Sequence, residues 1–143
     1  MLIRQGREDD RQAIEELLAF YQMAGDIDVG KFLVAEVDGQ VEGAVQLELA
    51  GGEAYLRSMV VSQDWHGEGI GSALVKSLIK EESLVKVVSR GYSAPFYRQL
   101  GFQEVDWAAI DPLIRQECEA CPDRTTCQPE PMAWKSTDGS LVL

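Results

Sequence analysis

The sequence predicts an α/β fold in which a mixed central sheet is flanked by helices. Three observations predict it. Segments with strand-like and helix-like hydrophobic periods alternate as far as Asp106. Asp38-Gly39, a strong two-residue hairpin signal, joins two apolar runs and makes part of the sheet antiparallel. A turn carrying Gly67, Gly69 and Gly71 leads from the apolar run Leu56–Val61 into a helical run that starts at Ile70.

The elements follow in order. Leu2 to Gln5 is a short first strand. Asp9, with Gln12 three residues later, resembles a capping box, and Ile14, Leu17, Leu18 and Tyr21 then form one apolar helical face. Phe32–Val37 and Val41–Leu49 are the hairpin strands. In the second, Val41, Val45, Leu47 and Leu49 alternate with Glu42, Gln46 and Glu48, which predicts one buried face and one wet face. Gly51-Gly52 turns the chain into the Leu56–Val61 strand. A helix from Ile70 to about Glu82, a fifth strand at Leu84–Val88, a short helix around Tyr97 and a strand at Phe102–Val105 complete the alternation. In the short helix Phe96, Leu100 and Phe102 are expected to bury, with Gly101 ending it in a left-handed conformation. Asp111-Pro112 reads as an N-cap followed by proline at the first helical position. With 143 residues and no repeat or low-complexity segment, the chain reads as a single domain over residues 1–143, with a cysteine-containing C-terminal extension at about 107–143.

The glycine turn carries the first functional signal. Glycine amides are unshielded and the first amides of a helix lack intrahelical acceptors, so the segment is an anion site suited to a phosphate or pyrophosphate. Two familiar loops are excluded by spelling. A P-loop needs Lys then Ser or Thr after its last glycine, whereas Gly71 is followed by Ser72 and Ala73. The dinucleotide pattern would need its third glycine at Ser72 or Leu74. An ordinary glycine turn remains open on spacing alone.

What remains resembles the acetyl-CoA loop of the GNAT superfamily of N-acetyltransferases: Gln or Arg, two residues, Gly, one residue, Gly or Ala. Gly69 and Gly71 fit, and His66 departs from the usual Gln or Arg. Ser93–Phe102, SAPFYRQLGF, is similar to the superfamily's aromatic-Tyr-x-x-x-Gly-Phe helix. The resemblance covers roughly residues 1–106. It implies the GNAT fold and transfer of an acetyl group from acetyl-CoA to an amine. It also implies that Tyr97 protonates the departing thiolate, and that backbone groups of Met59, Val60 and Val61 hold the pantetheine arm. An amide of Val60 or Val61 would stabilise the oxyanion. Gly67, Gly69, Ile70, Gly71 and Ser72 would hold the pyrophosphate, helped by His66 when protonated. Glu53 or a water relay is left open as the base. Arg57 is the candidate for gripping a substrate carboxylate, with a surface ion pair as the alternative. Without the family pattern, Tyr97 would read as a core aromatic with a wet hydroxyl.

All three cysteines, Cys118, Cys121 and Cys127, lie in the tail. C-x-x-C is half of a common zinc site, but structural zinc takes four protein ligands and the single His is in the glycine loop. Reduced apolar packing, a redox pair and a metal site stay open, with zinc not favoured. The segment Cys118, Cys121-Pro122, Cys127 and the strand-like Pro131–Lys135 resembles the end of short amino-acid N-acetyltransferases similar to N-acetylglutamate synthases. Leu56-Arg57-Ser58 resembles arsenic-resistance N-acetyltransferases more loosely. Both favour a small acceptor with an amine beside an acidic group.

With 13 basic against 24 acidic residues the formal charge is −11, which repels nucleic acid and anionic membranes and excludes both as partners. No apolar run approaches a membrane span and no signal-peptide core opens the chain, so a cytoplasmic enzyme is expected. A homodimer is left open. Other functions also remain open: an acyl-CoA-binding regulatory module without turnover, acetylation of a polyamine or protein amine, and a metal-knuckle interaction module in which the cysteine tail docks a partner.

Overall fold

The structure is a computed structural model describing residues 1–23, 26–122 and 124–136. Its seven-stranded sheet has the order β1-β2-β3-β4-β5-β7-β6, with β1 at Leu2–Gln5, β2 at Phe32–Val37, β3 at Gln40–Ala50, β4 at Glu53–Val61, β5 at Leu84–Ser89, β6 at Gln103–Glu104 and β7 at Glu130–Lys135. β4 runs parallel to β5 at Ala54 and Tyr55, while β1–β2, β2–β3, β5–β7 and β7–β6 are antiparallel. The sheet is mixed, as predicted. The longer helices are α1 (Arg11–Phe20), α2 (Ile70–Ile79), α3 (Ala94–Gln99) and α4 (Pro112–Ala120), followed by a single turn, α5 (Arg124–Cys127). Two compact units emerge: Met1–Glu48 with Leu56–Glu81, and Leu49–Tyr55 with the described residues from Glu82 onward.

In the first unit Ile14 and Leu18 of α1 are buried against Val29, Phe32, Val34, Ala44 and Val60, the apolar face the period predicts. The helix does not start with the Asp9–Gln12 box. A 3-10 turn at Glu8–Asp10 precedes it, and the Asp10 carboxylate accepts the Arg7 N–H at 2.7 Å while the Gln12 amide turns to Glu16. Asp10 wins because Arg4 grips it from β1 at 2.8 and 3.0 Å and also bonds Glu36 of β2. Asp38 and Gly39 both adopt positive φ (51° and 80°), the backbone a two-residue hairpin turn requires.

The predicted alternation in β3 fails. Ala44 and Val45 are both fully buried and Leu49 is 72% exposed. Both faces of the middle of β3 are covered: Ala44 joins the α1 cluster, and Gly43 lies where a Cβ would come within 2.9 Å of Ile70 and 3.0 Å of Leu74. α2 therefore packs directly on β3 backbone.

In the second unit β7 pairs along the whole of β5, from Leu84↔Lys135 to Ser89↔Glu130, and along β6 on its other edge. The last strand thus lies inside the sheet. Tyr55, Ile110 and Ile114 form a second core, with the Asp111 N–H donating to the Tyr55 hydroxyl at 2.8 Å. Asp111 caps α4 through the Leu113 N–H, as its position before Pro112 predicts. The predicted strand at Phe102–Val105 shortens to Gln103–Glu104, because the Phe102 N–H is committed to the Tyr97 carbonyl at 3.1 Å where the preceding helix closes.

Candidate active site

The glycine loop begins where β4 ends. One 3-10 turn, Gln63–Trp65, leads through His66 to Gly69, which caps α2 in the left-handed region. Gly67 and Gly69 both have φ of 82°, which an L side chain resists, and a Cβ on either would meet nothing within 4 Å. The backbone needs glycine, and the space above it is open to a ligand. Ile70 and Leu74 are buried and anchor α2. The Gly69 carbonyl accepts the Ala73 N–H at 3.0 Å as the first helical bond, so the N–H groups of Ile70, Gly71 and Ser72 have no intrahelical acceptor. These three amides lie at the positive end of the helix dipole, an arrangement suited to an anion. The amide of Glu68, outside the expected set, is committed to the Trp65 carbonyl at 3.3 Å.

The end of β4 supplies Met59, Val60 and Val61. Val60 and Val61 are buried, while Met59 is half-buried. Ser58, just before them, has φ of 55°, a left-handed residue inside a strand. Such a residue breaks the two-residue alternation, and Val60 and Val61 are accordingly buried in succession. The Val61 carbonyl accepts the Tyr21 hydroxyl at 2.6 Å, and His66 Nε2 lies 3.0 Å from that carbonyl and 2.7 Å from the Tyr21 oxygen. One proton placement satisfies all three contacts: Tyr21 donates to the carbonyl and Nε2 carries its own hydrogen. A neutral His66 then has only an acceptor at Nδ1, so a bond to an anion from this ring requires imidazolium.

Arg57 lies on β4 with Nη1 3.8 Å from the Glu48 carboxylate, so an acceptor carboxylate must compete with Glu48. Glu53, at the opposite end of β4 from Val61, is the counter-ion of Lys86: the buried ammonium donates to Oε1 at 2.7 Å and also to the Ala109 carbonyl. Drawing Glu53 into proton transfer would strand that ammonium, which argues against a role as base. A cavity of about 640 Å³ in the first unit is lined by Asp9, Glu16, Tyr21, Glu42, Ser62 and Asp64 among others, and its rim is acidic.

In the second unit Tyr97 is buried on α3 and packs edge-on to Phe96 and Phe102 at 5.0 and 5.4 Å between ring centroids. Tyr97 buries more deeply than Phe96 and Leu100, which are only half-buried, contrary to the expectation for those two. Desolvation raises the Tyr97 pKa above the usual phenol value, so its proton stays in place through neutral and moderately alkaline pH. Gly101 ends the helix with φ of 98°, as predicted.

Cys118 and Cys127 are half-buried and Cys121 is exposed, with Cys121 and Cys127 as free thiols. Among the described residues no group of three or more His, Cys, Asp or Glu is placed to hold a metal ion. None of the described helices is long and apolar enough to cross a membrane. Sequence reasoning missed two features of the site. Tyr21 reads only as the last apolar position of α1, since nothing local ties it to a carbonyl forty residues on. Ser58 carries no signal for a left-handed conformation, which glycine or asparagine would have given.

Residues 28–104, more than half of the 143, match the acetyltransferase (GNAT) domain family. An uncharacterized N-acetyltransferase of Chlorobaculum tepidum is 28% identical over 100 residues, covering 67% of this chain and 64% of that protein. One of Methanocaldococcus jannaschii is 32% identical over 92 residues, covering 54% and 56%. The chain therefore spans less than two thirds of the length of these relatives. N-acetylglutamate synthase from Neisseria gonorrhoeae, complexed with coenzyme A and N-acetyl-glutamate, superposes with a TM-score of 0.79 at 16% identity, covering 94% of this chain and 34% of that one. Rv2747 from Mycobacterium tuberculosis, in complex with CoA, gives 0.78 at 20% identity over 95% and 99%. Both likenesses concern the fold.

Proposed function

This chain belongs to the acetyltransferase (GNAT) domain family, and we propose that it transfers an acetyl group from acetyl-CoA to the amine of a small, amino-acid-like molecule. The observation that carries the reading is the left-handed Gly69 cap, which leaves the amides of Ile70, Gly71 and Ser72 without intrahelical acceptors at the start of an anchored helix, beside a loop where a Cβ on Gly67 or Gly69 would meet nothing within 4 Å. That cradle suits a pyrophosphate and costs no side-chain ordering when one binds.

Acetyl transfer needs a neutral amine, a polarised thioester carbonyl and a proton for the leaving thiolate. In this reading the Val60 or Val61 amide stabilises the oxyanion, an effect worth roughly a hundredfold to a thousandfold in rate. Met59 and its neighbours run alongside the pantetheine arm. Tyr97, kept protonated by burial, gives its proton to sulfur. With Glu53 held by Lys86, amine deprotonation falls to water. Arg57 pairs with an acidic group of the acceptor in place of Glu48.

The acidic cavity favours a second reading, a polyamine acceptor. Its carboxylates would attract a cation without any need for Arg57. The likeness of fold to N-acetylglutamate synthase supports the amino-acid reading instead.

Cofactor binding is tested by thermal unfolding with millimolar acetyl-CoA. The parent protein is expected to melt higher in its presence by mass action. Gly69→Val should abolish the shift, because a β-branched residue both resists φ of 82° and fills the open approach. No shift in the parent protein refutes the reading.

A further inference from the structure

We infer that Tyr21 is a positioning residue for the glycine loop, holding the end of β4 and His66 in the arrangement that cofactor binding uses. The inference rests on the acetyl-CoA reading above. It begins with how firmly Tyr21 is itself held. α1 ends in two crossed bonds, Gln22 N–H to the Ala19 carbonyl at 3.0 Å and Met23 N–H to the Leu18 carbonyl at 2.8 Å, with Gln22 left-handed at φ of 60°. This is the Schellman arrangement, and it makes Tyr21 the C-cap residue of a helix whose other face is buried in the core. The ring leaves a fixed point of the backbone.

The hydroxyl reaches two groups at once. It donates to the Val61 carbonyl at 2.6 Å and lies 2.7 Å from His66 Nε2, while the two rings lie nearly parallel, 14° apart with centroids at 6.1 Å. The N–H on the far side of the same peptide, that of Ser62, donates to the Glu42 carbonyl at 2.7 Å. The peptide joining Val61 to Ser62 is thus fixed from both sides, from α1 and from β3. His66 is fixed through Nε2 and stands directly before Gly67. The segment between β4 and α2 has little apolar anchorage of its own, since Gln63, Asp64 and His66 through Gly69 are all exposed. Polar ties of this kind set its order before a ligand arrives, and that lowers the entropy lost on binding.

The test is Tyr21→Phe, which removes one oxygen and keeps the ring, compared with His66→Ala and the double variant. Ligand-free amide exchange is followed over residues 62–72, and CoA affinity is measured by calorimetry. The expected results are faster exchange at 67–72 in both single variants, a rise of about three- to tenfold in the Kd for CoA, and, in Tyr21→Phe, turnover at saturating acetyl-CoA close to that of the parent. The double variant should lose less than the sum of the two single variants, because part of the Tyr21 effect passes through its contact with His66 and the rest through the Val61 carbonyl. Unchanged exchange in Tyr21→Phe overturns the inference whatever CoA does. Additive losses in the double variant, or a fall in turnover with unchanged affinity, overturn it as well. A parent protein that binds no CoA overturns the functional reading instead, and the exchange result still decides whether Tyr21 orders the loop.

Discussion

Tyr97 and Asp10 show how burial sets what a single titratable group can do. For Tyr97, desolvation raises the pKa, so ionisation is harder in the folded protein than in the unfolded chain. Its contribution to stability is complete below the unfolded tyrosine value of about 10 and is lost as pH rises beyond it. Over the physiological range the phenol remains a proton donor. Tyr97→Phe is expected to lower kcat roughly a hundredfold to ten-thousandfold with little change in CoA affinity. A modest loss in a steady-state assay would mean that solvent protonates the thiolate and that Tyr97 only packs. Asp10 has the opposite sign. The side-chain bond from Arg4 lowers its pKa against the effect of burial, so its stabilisation is present above the ordinary carboxylate value and is lost as pH falls through the lowered folded one. Asp10→Asn should cost about 1.5–3 kcal/mol at neutral pH and flatten the acid limb of the stability curve, read by urea unfolding between pH 2 and 7, roughly the range over which carboxylates titrate. An unchanged acid limb would mean that other carboxylates govern acid unfolding.

The short elements depend on one another in ways their sequences do not spell. α3 is too short to be stable alone, and the end of the chain holds it at three points. Gly91, in the turn before it, lies where a Cβ would be 2.8 Å from the carbonyl oxygens of both Cys127 and Gln128. Arg98 within it pairs with Glu130 at 2.6 Å, and Gly101 after it packs against the Trp134 ring. The stretch from Cys127 through β7 therefore packs along the Tyr97 helix. Gly91→Ala should destabilise the protein by about 1–3 kcal/mol through this clash and should reduce kcat more than CoA affinity. Equal losses in both, measured by calorimetry and initial rates, would contradict that. The sequence carried the hairpin at Asp38-Gly39, the cap at Asp111 and the helix end at Gly101, because each is a local demand for one backbone conformation. It did not carry the place of β7 between β5 and β6. Glu130–Lys135 reads only as a strand, and which edge it joins is decided by side chains far away in sequence. The two-sided burial of β3 was hidden for the same reason: alternation along Val41–Leu49 suggests a wet face, and Gly43 and Ala44 show only in the fold that helices cover both.

At the scale of the molecule, a chain with formal charge −11 is expected to bind an anionic cofactor. Long-range attraction cannot do this work, so in the proposed reading local amides must; the glycine loop was legible as a turn because Gly67 and Gly69 meet a local demand for positive φ. Acceptor recognition was not legible in the same way. Arg57 was singled out as the basic residue of its strand, yet in the structure it lies 3.8 Å from Glu48, a partner that no sequence pattern announces. The acidic cavity is equally a product of assembly, since Asp9, Glu42 and Asp64 come from three separate segments. Both acceptor classes therefore belong in the decisive experiment: incubation of the protein with acetyl-CoA and a panel of amino acids and polyamines, following thiol release and identifying the product by mass spectrometry. The account predicts one thiol released for each N-acetylated acceptor, with an amino acid carrying an acidic group as the best substrate. Acetyl-CoA that binds while no amine in the panel is acetylated would contradict it.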